Sequence, residues 1–155
     1  MMILIKSGML VTSEETFAAD ILIEDEKIAT IGTNLKVPES VRVVDAAGKL
    51  ILPGGVDAHV HLDLPMAGTV SSDDHYTGTK AAAFGGTTTV IDFISQDVDP
   101  LLRNVDIWEA KAEGKAAVDY SFHMNMTRFD GKVAAEIPQL VKRGITSLKV
   151  FTAYN

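Results

Sequence analysis

The chain has no cysteine among its 155 residues. Disulfides and thiolate metal sites are therefore excluded, and any metal must be held by nitrogen and oxygen ligands. Basic residues are in the minority, 14 Lys and Arg against 21 Asp and Glu, and they form no cluster. With a net charge of −7 and no landing surface for phosphates, a nucleic-acid partner is not expected. No apolar run approaches the roughly 18 residues of a membrane helix. The opening Met1-Met2-Ile3-Leu4-Ile5-Lys6-Ser7-Gly8 has no basic flank and no small-residue cleavage site, so it does not read as a signal peptide. The expectation is a cytoplasmic protein without membrane association. What is present is 46% hydrophobic content with charges of both signs spread along the chain, enough for a globular domain with a true core.

The first fifty residues read as β structure only. Residues 3–12 alternate and end at Ser13-Glu14-Glu15, and residues 19–24 and 27–32 suit a hairpin turning at Asp25-Glu26. Short strands follow at 41–44 and 49–52, giving a small β portion over residues 1–52. At Pro53-Gly54-Gly55 the pattern changes. Strands are expected at 55–61, 87–94, 118–127 and 146–151, with helices at 74–84, 100–113 and 132–143 between them. Ser72-Asp73-Asp74 suits a helix start and Gly85-Gly86 its stop; Asp99-Pro100 opens the second helix, whose stripe is Leu101, Val105, Trp108 and Ala112. The third helix ends at Lys142-Arg143-Gly144, its cations where the helix dipole favours them.

Alternating β and α units make a parallel sheet with right-handed crossovers, either open and doubly wound or closed as a barrel. Residue parity favours the barrel. In 118–127 the set Tyr120, Phe122, Met124 and Met126 is apolar, and the set Ser121, His123, Asn125 and Thr127 is polar. Lys149 opposes Leu148 and Val150, and Asp57, His59 and His61 oppose Val56, Ala58 and Val60. Three strands thus direct polar groups to one face, which suits a barrel interior with a site at the carboxyl ends of its strands.

Two imidazoles two residues apart on one face of a strand can grip a single cation. The alternative is one buried, hydrogen-bonded histidine beside an exposed one. Lys149 lies within an apolar strand and faces the same interior by parity. A buried, unpaired ammonium is costly, so such a lysine is neutral, salt-bridged or chemically altered. A neutral amine can add carbon dioxide to become a carbamate able to bridge two cations. The competing reading is a salt bridge to Asp57 or Asp92, or a side chain that snorkels past the strand end.

Taken together, Gly54-Gly55-Val56-Asp57-Ala58-His59-Val60-His61, Phe84-Gly85-Gly86-Thr87-Thr88-Thr89, Asp119-Tyr120-Ser121-Phe122-His123 and Gly144-Ile145-Thr146-Ser147-Leu148-Lys149-Val150-Phe151 with Tyr154 resemble the cyclic amidohydrolases. Within them the pattern is most similar to the hydantoinases and dihydropyrimidinases. The resemblance implies an α/β fold: the first four strands of a TIM-like (β/α)₈ barrel over residues 53–155, preceded by part of a small β-sandwich. It also implies two divalent metal ions, usually zinc. His59 and His61 match ligands of the first metal, Lys149 matches the carboxylated bridging lysine, and Tyr154 matches the phenol that hydrogen-bonds the substrate carbonyl oxygen. Segments 62–66 and 93–97 fall where the family lines its substrate pocket, making Leu64, Met66 and Phe93 candidates for that lining.

The implied reaction is hydrolysis of the ring amide of a hydantoin or dihydropyrimidine by a metal-bridging hydroxide, giving an N-carbamoyl amino acid. Dihydroorotases resemble His-x-His-x-Arg at this strand, and here Asp63 takes the arginine's place, where a carboxylate would repel their substrate. An allantoinase-like activity remains an alternative. Asp57 is a candidate to orient a ligand imidazole, with an ordinary strand-end hydrogen bond as the other reading. Asp92 is a candidate to line the site, with a purely structural role as the other reading. His123 reads as a satisfied core histidine, His75 as part of a solvated helix face, and Trp108, Met124 and Met126 as core.

A complete barrel takes about 250 residues, and the family draws two further histidines and an aspartate from later strands. The expectation is therefore an amino-terminal portion of such an enzyme, inactive alone, whose parent is a homotetramer or homodimer. A non-catalytic assembly or complementing segment of the same fold is the alternative from another class.

Overall fold

The computed structural model describes residues 1–153. The chain divides into two compact units, Met1–Pro53 and Gly54–Asn155.

The first unit is a five-stranded sheet. β1 (Met2–Val11), β2 (Thr16–Glu24) and β3 (Lys27–Gly32) form an antiparallel meander. The turn at Asp25-Glu26 has both residues at positive φ, 45° and 69°, which matches the right-handed twist of the two strands it joins. β4 (Arg42–Asp45) and β5 (Leu50–Ile51) both lie parallel to β1, along its first and second halves. Leu10, Ala19 and Ile21 form its buried centre, with Ile5, Phe17, Ile23 and Ile51 packed around them. The described residues make one sheet here; the second layer of a sandwich is not among them.

The second unit alternates as expected. β6 (Gly55–Asp57), β9 (Thr87–Ser95), β10 (Asp119–Met126) and β11 (Leu148–Val150) pair in parallel in sequential order. The short hairpin of β7 (Pro65–Met66) and β8 (Thr69–Val70) interrupts the first crossover, between the strand and the helix expected at 55–61 and 74–84. The helices are α1 (His75–Phe84), α2 (Leu101–Ala112) and α3 (Gly131–Lys142). Sequential parallel order with right-handed crossovers places the helices on one face, as in a barrel segment. In a doubly wound sheet the order reverses and both faces are covered. The choice left open by alternation falls to the barrel.

The core lies between that face and the helices. Ile94, Phe122, Met124 and Met126 meet Leu101, Val105, Trp108 and Ala112 of α2 and Val133 and Leu140 of α3. The stripe expected on α2 and the apolar set expected on β10 are those residues. Local signals start the helices where the sequence suggests. Asp74 caps α1, its carboxylate accepting from the backbone N–H groups of Tyr76 and Thr77, and Thr77 returns a capping-box bond. Asp130 caps α3 by accepting from Lys132 and Val133. α2 lies within the expected span, with Gly114 beyond its end at φ 70°.

Two strands are shorter than their apolar patterns. The last runs over Leu148–Val150 rather than 146–151. The first stops at Asp57 rather than continuing to His61, because the Asp57 carboxylate accepts the backbone N–H of His59 at 3.1 Å and closes a turn. Val60 N–H still donates to Ile91 O at 3.3 Å, so the segment stays alongside β9.

Candidate metal centre

Register defines the second, helix-free face of the parallel sheet. β9 pairs Phe93 with His123 and Ser95 with Asn125 on β10, and Asn125 pairs with Lys149 on β11. In parallel strands paired residues share a face, so Phe93, His123 and Lys149 stand together, opposite Asp92, Phe122 and Met124. The turn after β6 swings the two remaining imidazoles over the same face.

Phe93, only 6% exposed, is the platform. The ring centroids of His59 and His61 lie 4.6 and 5.0 Å from its own, and that of His123 lies 4.9 Å away. His59 and His61 meet each other edge to face at 5.2 Å. The Lys149 ammonium nitrogen sits 4.0 Å above the Phe93 ring centre, 5.1 Å from that of Phe151 and 3.4 Å from His59 Nε2. That approach requires an uncharged imidazole or an uncharged amine, since two cations at this separation repel. Loss of solvent pushes the His61 pKa below the ordinary imidazole value, and a positive charge on either neighbour, Lys149 first, pushes it the same way. An uncharged ring with a free nitrogen lone pair is what a metal ligand must be.

His123 is engaged at both nitrogens. Nε2–H donates to Ala58 O at 3.1 Å, which leaves Nδ1 to accept from the Ser147 hydroxyl in a short hydrogen bond. It is the satisfied histidine the sequence suggests. Its partner adds what the sequence does not: the bond to Ala58 holds the turn from which His59 projects.

The other candidates lie elsewhere. The register pairs Asp57 with Val90, a member of the helix-covered set. The alternation expected through Asp57, His59 and His61 is thus broken at Ala58, and the Asp57 carboxylate meets the His59 backbone rather than a ring. Asp92 is 1% exposed on the helix-covered face. It accepts from Leu62 N at 3.3 Å and Phe93 N at 2.7 Å, and burial pushes its carboxyl up to about 6. Leu64 packs against the main core, and Met66 is 62% exposed on the β7–β8 hairpin. Tyr154 lies outside the described residues.

Two readings are overturned. His75, expected on a solvated face, has no exposed surface and sits between Asp63 and Asp92, 2.9 and 3.4 Å away. The inward stripe of α1 is the buried His75 and Thr79 with the half-buried Gly78 and Ala82, small or polar residues that no hydrophobic count would pick out. Their spacing of three, four and seven was the available signal. Asp63 correspondingly turns toward His75, not toward a substrate, so it gives no ground for repelling a carboxylate.

The donor set suits a divalent cation held without sulfur: two adjacent imidazoles, one favoured in its neutral form, and an amine beside them. Among the described residues no three His, Asp or Glu side chains converge on one point, so Lys149 is needed to make a third donor. An ammonium has no lone pair to give a metal. Lys149 fits only after losing its proton or gaining an anionic group.

Residues 50–151 match the amidohydrolase family. The chain belongs to that family. Within it, the chain is 48% identical over 153 residues to a D-hydantoinase of Geobacillus stearothermophilus, covering 97% of this chain and 32% of that protein. It is 46% identical over 154 residues to a dihydropyrimidinase of Dictyostelium discoideum, covering 98% and 31%. A crystal structure of a D-hydantoinase superposes with a TM-score of 0.95 at 48% identity, over 100% of this chain and 34% of that one. The likeness to hydantoinases and dihydropyrimidinases expected from the motifs is borne out over nearly the whole chain. The chain spans about one third of the length of the relatives it matches. Among the described residues, no helix is long and apolar enough to cross a membrane.

Proposed function

We propose that the protein hydrolyses the ring amide of hydantoins or dihydropyrimidines to N-carbamoyl amino acids, and that residues 53–155 supply the opening part of its metal-dependent barrel. The observation that carries this reading is the convergence of His59, His61 and Lys149 over Phe93, in a chain 48% identical to a D-hydantoinase. His59 and His61 would hold one divalent ion, zinc in this proposal, and Lys149 would share it with a second. When bound, the metal pair supplies Lewis acidity toward a carbonyl oxygen and toward water.

The chain's own residues do the rest. The uncharged Lys149 amine adds carbon dioxide through its nitrogen lone pair, releasing one proton and leaving a carbamate with two oxygen donors. Phe93 packs against one side of the two imidazoles and limits how their rings can turn. Tyr154 would donate its phenolic hydrogen to the carbonyl oxygen as that atom gains negative charge, a contribution of about 3 kcal/mol for a well-placed donor. Two imidazoles and one carbamate leave the second ion with a single shared group, so residues 1–155 by themselves are expected to be inactive.

The test uses the full-length protein with dihydrouracil and a 5-substituted hydantoin. Ring opening that is abolished by a chelator and restored by zinc is the expected result. Full activity after complete metal removal, or none on either ring with metal bound, would overturn it.

A further inference from the structure

The segment that follows His61 is tied down from three elements, and a buried histidine stands where the ties meet. His75, the first residue of α1, donates both its backbone N–H and its Nδ1–H to Asp63 Oδ2, at 3.1 and 2.9 Å. Its Nε2 lies 3.4 Å from Asp92 Oδ2 without the alignment of a hydrogen bond. Asp92, on β9, accepts the backbone N–H of Leu62 at 3.3 Å. From α2, the Lys111 ammonium donates to Asp63 O at 2.8 Å while resting 3.9 Å from the Trp108 ring centre. Asp63 N–H donates to Asp73 O at 2.9 Å and Leu64 N–H to Ser71 Oγ at 3.0 Å.

Asp63 has φ 49°, a left-handed backbone that persists only when its surroundings enforce it. Gly78, one turn along α1, faces the same segment: a Cβ there would stand 2.3 Å from Leu62 Cδ2. A ring with no exposed surface between two carboxylates is a poor choice for stability alone, since an apolar side chain of similar size would avoid the desolvation. What the polar ring supplies is direction.

We propose that His75 is a positioning residue for the imidazole pair: through Asp63 and Asp92 it fixes the backbone of residues 61–64, and with it the orientation of His61 relative to His59. The inference rests on the reading of these imidazoles as metal ligands given above. It assigns to helix α1 a share in the metal site, although no atom of α1 is offered as a ligand.

The experiment compares the full-length wild-type protein with His75→Phe, which keeps a ring and removes its polar atoms, and His75→Asn, which keeps a donor toward Asp63. Two quantities are measured: amide hydrogen exchange over residues 59–64 without metal, and zinc affinity by chelator competition. For His75→Phe we expect exchange in 59–64 to quicken while β10 keeps its protection, and zinc affinity to fall about 10–100-fold, the range for groups that orient a ligand. His75→Asn should recover most of both. Unchanged affinity with unchanged local exchange, or a general loss of protection with unchanged affinity, overturns the proposal. If His75→Phe does not fold, Asp63→Asn, which tolerates the left-handed backbone and weakens the acceptor, should shift both readouts the same way by less; no shift overturns it. Wild-type protein that binds no zinc overturns the reading of the imidazoles as ligands, and the exchange comparison then decides alone whether His75 holds the segment.

Discussion

The Lys149 amine stands 3.4 Å from His59 Nε2 across 90 positions of sequence. Strand pairing puts them together: β11 adds to β10, β10 to β9, and Phe93, near the carboxyl end of β9, carries both side chains. Replacing Lys149 by Ala removes the third donor. Under the proposed function, activity of the full-length protein should fall by more than the roughly 100-fold typical of an outer-shell change. Metal analysis should find less than the wild-type complement, and a short carboxylic acid in the buffer should restore part of the activity by standing in for the carbamate. An undiminished metal content would remove Lys149 from the site.

Phe93 packs against three imidazoles and an ammonium and is almost fully buried. Phe93→Ala should cost about 3–5 kcal/mol of stability, read as a lower urea midpoint. The same substitution readmits water to His61, so its pKa, followed by NMR, should rise toward the ordinary imidazole value. A lowered midpoint with an unmoved His61 would show that the desolvation comes from another neighbour.

Asp92 imposes a pH dependence of definite sign. Its carboxyl is raised from 3.8 to about 6 in the folded protein, with burial the largest cause. Between those values the folded state binds the proton that the unfolded state has released, so stability falls as pH rises from about 4 to about 6. Asp92→Asn removes this dependence. Relative to that variant, the wild type should lose on the order of 3 kcal/mol across the window, measured by denaturant titration at pH 4 and pH 7. A constant difference at the two pH values would mean that Asp92 titrates alike in the folded and unfolded states.

The Asp74 carboxylate holds two backbone N–H groups at the start of α1 and belongs to a capping box. Asp74→Ala should cost about 1 kcal/mol and loosen the first turn, the one that carries His75. Thermal unfolding measures the first effect and exchange at residues 75–78 the second. Unaltered stability would mean that packing alone holds the helix start.

Much of the second unit is legible along the chain because its signals are local. Asp74, the Leu101-Val105-Trp108-Ala112 stripe and Gly144 act within one or two turns, so helix positions follow from them, whereas the Asp130 cap of α3 shows only in the structure. The parity of β10 likewise follows from alternation, and it sorts His123 from Met124 correctly. Parity fails at Asp57, where a side chain caps its own strand and resets the count before His59. Hydrophobic counting fails for α1, whose inward face carries a buried histidine and threonine and a half-buried glycine and alanine instead of large apolar groups.

The sequence by itself determined the family, the alternation of strands and helices, and which residue types could meet a cation, since these depend on spacing and motif. Only the tertiary structure decided that Asp92 and His75 belong to the helix-covered side, that Asp63 turns to His75, and that His123 holds Ala58. Each of those is a contact between distant positions made by a polar atom whose partner no periodicity specifies, and burial makes the choice of partner compulsory.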